Sequence, residues 1–193
     1  MSEDTPTNRS DDVRLIGRAV EEDEWIEAFL DEEPMCVVGL VDDSSPYVVN
    51  QLFVYDSDEQ AVFLHGAATG RMRSVVERDG TVEASLTVSR MGQLIPAAMP
   101  VDFDVEYESV VAFGEISLVT EVASKREALE QLMTKFAPQL SPGTDYEPIA
   151  DDSIDRTSVY RIDIEGWSAK RNETPPDDET TYEYQAVRNQ DEN

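Results

Sequence analysis

Apolar residues fall first at helical spacing and then, for most of the chain, in short runs and alternations that read as strands. Trp25, Ile26, Phe29 and Leu30 recur with the helical period behind a first turn of acids starting near Glu21, so a short amphipathic helix opens the folded part, with Pro34 just beyond its end. Met35 to Val41 is an unbroken apolar run of the kind a buried strand shows. Asp42-Asp-Ser-Ser-Pro46 reads as a turn, and Tyr47 to Tyr55, rich in β-branched and aromatic residues, as a second strand. Asp56-Ser-Asp58 turns the chain into a third, Ala61 to His65, and the three form an antiparallel meander.

A helix follows Thr69, with Met72, Val75 and Val76 on one face, and it ends at Asp79-Gly80, where glycine suits a helix C-terminus. Thr81 to Val88 alternates cleanly, Val82, Ala84, Leu86 and Val88 against Thr81, Glu83, Ser85 and Thr87, as a half-buried strand does. Ser89 to Pro100 has apolar residues without a period and two prolines, which reads as a long loop. Val105 to Val119 is a long strand bent near Gly114. Ser124-Lys-Arg-Glu127 has the form of a capping box opening a helix through Ala128, Leu129, Leu132, Met133 and Phe136, which Pro138 stops. After a loop rich in proline and aspartate, Ser158 to Ile164 is the last strand.

The two ends lack this patterning. Residues 1–12 and the acidic stretch 173–193 carry no apolar period and are expected to be disordered, leaving a single domain over 13–172. Met1 to Asp12 lacks the basic start and apolar core of a signal peptide, and no apolar run approaches a membrane span, so a cytoplasmic protein is expected.

Charge narrows the partners. The chain carries 42 acidic residues against 15 basic ones, a net charge of -27, and its basic residues are twelve arginines and three lysines. Nucleic acid and anionic membrane are excluded as partners, since both would be repelled. An acidic, lysine-poor surface of this kind is that of a salt-adapted protein. Against this background Gln60 to Val76 and Ala84 to Val101 contain no acid at all. Buried strands exclude charge by themselves, which suffices for the strand halves of these windows. It does not explain the polar segment Gly66 to Ser74.

That segment belongs to Ala61-Val-Phe-Leu-His65-Gly-Ala-Ala-Thr-Gly70-Arg-Met-Arg-Ser74, a strand passing through a small-residue turn into a helix. A helix N-terminus presents unpaired amides and the positive end of the helix dipole, and small residues let an anion approach them. Arg71 and Arg73 add positive charge there; alternatively they pair with nearby acids. The residue inventory offers little other chemistry. With one histidine and one cysteine there is no zinc constellation, and neither a Gly-x-Ser-x-Gly elbow, a Gly-x-Gly-x-x-Gly fingerprint nor a Walker A loop occurs. Cys36, within an apolar run, reads as a buried thiol. Reactivity therefore has to come from a bound cofactor.

The same stretch resembles the strand-to-helix junction of the FMN-binding split β-barrel, the pyridoxamine 5'-phosphate oxidase-like superfamily, and more closely its nitroimidazole-reductase-like branch. Pro46-Tyr-Val-Val-Asn-Gln-Leu-Phe53, Glu106-Tyr-Glu-Ser-Val-Val-Ala-Phe-Gly114 and Gly166-Trp-Ser-Ala-Lys170 match in the family's order. The resemblance implies a mainly β fold with flanking helices, an antiparallel barrel of Greek-key type, and FMN held at a homodimer interface for oxidoreduction of a small molecule such as a nitroaromatic or a quinone. By position in the motifs, Thr69, Gly70 and Arg71 correspond to the phosphate cradle, and Val49, Asn50 and Gln51 line the isoalloxazine edge. His65 and Gly66 pass near the ring, while Ser109, Val110, Trp167 and Lys170 come largely from the partner chain. His65 reads equally as a structural histidine, and Trp167 equally as core. The second basic substrate motif of true pyridoxamine 5'-phosphate oxidases has no counterpart after Lys170, which argues against vitamin B6 oxidation. Within the same fold the alternatives are a deazaflavin, whose acidic tail would want more basic residues than are present, or a non-enzymatic module binding flavin or haem.

Overall fold

Asp43 and Ser44 both adopt positive φ, 47° and 68°, the geometry of the tight two-residue turn that matches strand twist, and with Asp42 opposite Ser45 they close the first hairpin. The computed structural model describes residues 6–10, 13–174 and 181–183. In chain order these form β1 (Thr7–Asn8), β2 (Ala19–Val20), α1 (Asp23–Glu32), β3 (Met35–Asp42), β4 (Ser45–Asp56), β5 (Ala61–Ala67), α2 (Arg71–Asp79), β6 (Val82–Ile95), β7 (Asp104–Leu118), α3 (Val122–Phe136), α4 (Asp151–Asp155) and β8 (Thr157–Asn172).

The strands close into a ring, β3–β4–β5–β8–β7–β6 and back to β3, antiparallel at every step. The meander β3–β4–β5 is as the pattern predicts. The chain then crosses through α2 to β6 on the far side of β3, which gives the Greek-key order. Inward positions of all six strands fill the barrel, among them Val38, Phe53, Leu64, Leu86, Val110, Ile162 and Trp167, with Ile26, Phe29 and Leu30 of α1 plugging one end. A second cluster lies outside the ring, where Val54, Ala61, Phe63 and Val159 pack under Ala128 and Leu132 of α3. Ala61 to Leu64 is thus buried on both faces, which is why it reads as a continuous apolar run.

The structure corrects several expectations at element ends. The ladder between β6 and β7 continues past Val88 to Leu94↔Val105 and Ile95↔Asp104, with an irregularity between Met91 and Leu94, so the expected loop is mostly a projecting hairpin. Past Ser89 this hairpin leaves the barrel and has no buried face to impose alternation. Strand β8 runs on to Asn172 rather than ending at Ile164. Opposite it Phe113 pairs with Gly166 and Gly114 with Ile164, so Glu165 is an extra, bulged residue that breaks the period. A Cβ on Gly114 would lie 1.8 Å from the Asp163 carbonyl oxygen, which explains the glycine at the expected bend. Helix α3 begins at Val122 and its N-cap, Glu121, makes no side-chain cap; the capping box at Ser124 does not form. Lys125 and Arg126 instead tie this turn to the carbonyls of Ile154 and Ile149. Thr7–Asn8, expected to be disordered, pairs in parallel with Gly166 and Trp167 of β8. In the acidic tail Tyr182 exchanges backbone hydrogen bonds with Leu94, whereas 1–5, 11–12, 175–180 and 184–193 lie outside the described residues. Among the described residues no helix is long and apolar enough to cross a membrane.

Candidate functional site

The barrel is split at one place. Strands β4 and β5 pair from Asp56↔Ala61 to Phe53↔Leu64 and then part. Beyond that point Val49 to Leu52 pair with β3, and His65 to Ala67 pair with β8. Val49, Asn50 and Gln51 therefore form one lip of the opening, and His65 and Gly66 the other. Asn50 and His65 are exposed, while Val49, Gln51 and Gly66 are half-buried. A Cβ on Gly66 would stand 3.6 Å from the Tyr160 ring. The His65 imidazole makes no hydrogen bond or ion pair among the described residues.

At the end of the split the chain turns through exposed Thr69 and Gly70 into α2. Gly70 is the N-cap with φ 135°, nothing lies within 4 Å of where its Cβ would be, no side chain caps the helix, and its first turn contains no acid. These amides are left for an anion. Arg71 stands beside them, Nε donating to Asp42 Oδ2 at 2.8 Å and the guanidinium 4.7 Å from the ring centre of Tyr47. Asp42 also accepts from Arg78, and the hydrogen bond from Arg71, with that from Arg78, holds its carboxyl below the ordinary carboxylate range. Arg73 points elsewhere: it pairs with Glu77 at 3.0 Å and donates to the buried Ser158 hydroxyl, which itself donates to the Ala67 carbonyl. The two arginines are therefore not equivalent, and Arg71 alone stays at the turn.

The remaining expected residues do not join this cluster. Trp167 is fully buried, its indole N–H donating to Asp23 Oδ1 at 3.0 Å and its ring edge-on to Tyr55. Val110 is buried too, and the inward register of both strand positions turns these side chains into the barrel. Ser109 and Lys170 pair with each other and lie on the outer barrel face, where β3 and β6 separate them from β4. Asp42, Tyr47 and Arg78, which position Arg71, carry no signal in the sequence because their contacts run between elements.

Two rows of outward residues between these two groups carry no acid, and Glu83 and Glu165 border them. Outward positions run in register from Asn50 through Val37, Thr87 and Val111 to Ser168, and from Val48 through Gly39, Ser85 and Phe113 to Gly166, with Met35 and Leu52 alongside. Val48 is 67% exposed and Met35 52%. In a chain with 42 acids this patch is the exception.

A ring of six antiparallel strands opened beside a helix N-terminus defines a split β-barrel. The chain belongs to the pyridoxamine 5'-phosphate oxidase family, whose model matches residues 22–171. Among solved structures it is similar to a flavocytochrome from Azotobacter vinelandii, 26% identical over 91% of this chain and 85% of that one, with a TM-score of 0.73. Two further likenesses show the fold: an FAD and haem binding protein from Mycobacterium smegmatis (22% identity, 83% and 76% covered, TM-score 0.72), and a 5-nitroimidazole antibiotic resistance protein, so described, from Bacteroides thetaiotaomicron (21%, 79% and 85%, TM-score 0.64). No curated protein sequence matches the chain.

Proposed function

We propose that this protein is a homodimeric flavin-dependent oxidoreductase acting on a small molecule, with the FMN moiety of its cofactor seated in the split between β4 and β5. The observation that carries this reading is the uncapped, acid-free N-terminus of α2 with Arg71 held beside it at the mouth of that split. Because Asp42 takes only Nε, both Nη groups of Arg71 remain available to a phosphate, and the Gly70 turn lets the phosphate reach the helix amides. The backbone edges of Asn50 and His65, which β4 and β5 no longer offer to each other, suit the rim of a flat heterocycle. The flavin supplies transfer of hydride or single electrons, and no side-chain acid or base is required for that. The chain's own residues bind, orient and shield.

The two acid-free rows of the outer face support the dimer. Ser109 lies on β7, which does not adjoin the split, and Lys170 lies at the other end of β8 from Val159, the residue opposite His65; a two-fold copy packed on this face would carry them toward the other chain's site. Removing acid from this one surface of a strongly acidic protein lets two copies meet without repulsion.

A second reading has one observation of its own. The flavocytochrome similarity, together with a single exposed histidine at the lip of the split, favours a haem bound through His65, the one imidazole the chain can offer. Purification in high salt, an absorbance spectrum, reconstitution with flavin and size-exclusion chromatography test both readings. A yellow dimer with stoichiometric flavin supports the first, and a Soret band abolished by His65→Ala supports the second. A colourless monomer that takes up neither cofactor overturns both.

A further inference from the structure

Within the acidic tail, Thr180-Thr-Tyr-Glu-Tyr184 has the β-branched and aromatic residues that strands favour. Leu94 donates its N–H to the Tyr182 carbonyl at 2.7 Å and accepts from the Tyr182 N–H at 3.0 Å, so Tyr182 adds a rung to β6. We propose that the edge of β6 past Ser89 is a strand-addition site occupied by the chain's own tail, which guards it against pairing with the same edge of another copy.

Register identifies the edge. Leu94 stands opposite Val105 of β7, yet both of its backbone bonds run to Tyr182, so these groups point away from β7. On that side β3 meets β6 only from Ser85 to Thr87, and past Val88 Tyr182 is the only strand partner among the described residues. The site therefore lies beyond the rows of the two-fold contact, which cross β6 at Ser85 and Thr87.

Composition is the second argument. Exposed strand edges are ordinarily kept from joining by charge or by proline. Ser89-Arg-Met-Gly-Gln-Leu-Ile95 has no proline, and its sole charge, Arg90, is neutralised by Glu33 at 3.0 Å and Glu108 at 2.6 Å. Residues 173–193 carry seven acids and one arginine, so the tail brings to this edge the like charge that repels a second copy. The tail is also held at its start. Glu106 of β7 accepts from the N–H groups of both Gln93 and Thr174, each at 3.1 Å, and one carboxylate thus ties the end of β8 to the irregularity in β6.

The test keeps the full chain and works in high salt. Tyr182 is 62% exposed, so Tyr182→Pro removes the N–H given to Leu94 without touching the core. Hydrogen exchange at the Leu94 amide is expected to quicken by roughly tenfold or more in this variant. Light scattering over roughly a hundredfold range of concentration should show constant mass for wild type and mass that grows with concentration for Tyr182→Pro. Adding Leu94→Pro, which blocks the edge but leaves the β6–β7 ladder its bonds, should restore the wild-type mass. Constant mass in Tyr182→Pro overturns the guard. So does growth that persists in the double variant while its near-ultraviolet spectrum stays native, since another surface would then be joining the copies.

Discussion

Arg71 meets Asp42 through Nε at 2.8 Å, and neither of its Nη groups has a hydrogen-bond partner among the described residues. The carboxylate fixes the plane of the guanidinium and the Tyr47 ring backs it, so the arginine is ordered before any anion arrives. Preorganisation of this kind lowers the entropic cost of binding.

Arg71→Ala is therefore expected to weaken flavin binding by about 1.5–3 kcal/mol, the scale of a charge-assisted hydrogen bond. Arg71→Lys should recover only part of the loss, since an ammonium cannot engage Asp42 and a phosphate in one plane. Fluorescence titration of both variants checks this, and unchanged affinity in the alanine variant removes Arg71 from the cradle.

The same pair predicts a pH dependence. Folding lowers the Asp42 carboxyl below its ordinary range, chiefly through Arg71. Stability from this group is thus fully present above the unfolded carboxylate value and is lost as pH falls through the lower, folded one. Asp42→Asn should shift the urea midpoint downward at pH 6, and the gap from wild type should close as the pH falls below the ordinary carboxylate range. A gap that persists in acid would mean that Asp42 acts by packing rather than charge.

Gly114 faces the Asp163 carbonyl too closely for any side chain. Gly114→Ala must displace the bulge at Glu165, with an expected cost of about 2–4 kcal/mol in chemical denaturation. A variant of wild-type stability would show that the strands β7 and β8 can separate there freely.

Burial of Cys36 pushes its thiol up to about 12. The native protein should accordingly ignore a thiol reagent at pH 8 and react with one equivalent after unfolding. Rapid labelling of the folded chain would place this residue outside the core.

Ion pairs cannot neutralise a net charge of -27. We expect thermal stability to rise as salt is increased from about 0.1 M to about 2 M, because screening weakens the self-repulsion of the acidic surface. A melting temperature indifferent to salt would count against salt adaptation.

Strands buried on an inward face were legible from alternation, as in Val82 to Val88, and the turn before α2 was legible from its small residues. What escaped were features specified by pairing rather than burial. The outer half of β6 holds its ladder without a core to pattern it, the bulge at Glu165 breaks the period before the buried Trp167 and Ala169, and Thr7–Asn8 is ordered by docking on β8. At the site, Arg71 and Arg73 look alike in sequence, yet one helical step sends the second to Glu77 and Ser158. Trp167 lies in a segment that by resemblance reads as part of the cofactor site, but its register turns it inward to Asp23.

The ring closes through its last strand. Residues 157–172 supply the seam with both β5 and β7, and the amino-terminal strands β1 and β2 dock on that same segment. A chain emerging from the ribosome thus holds an open, curled sheet until residues 157–172 are free, and β1 and β2, made before the barrel strands, wait for that segment to dock on. Acquisition of structure should be late and cooperative, governed by long-range pairing. The burial of Trp167 gives that closing moment its own fluorescent signal.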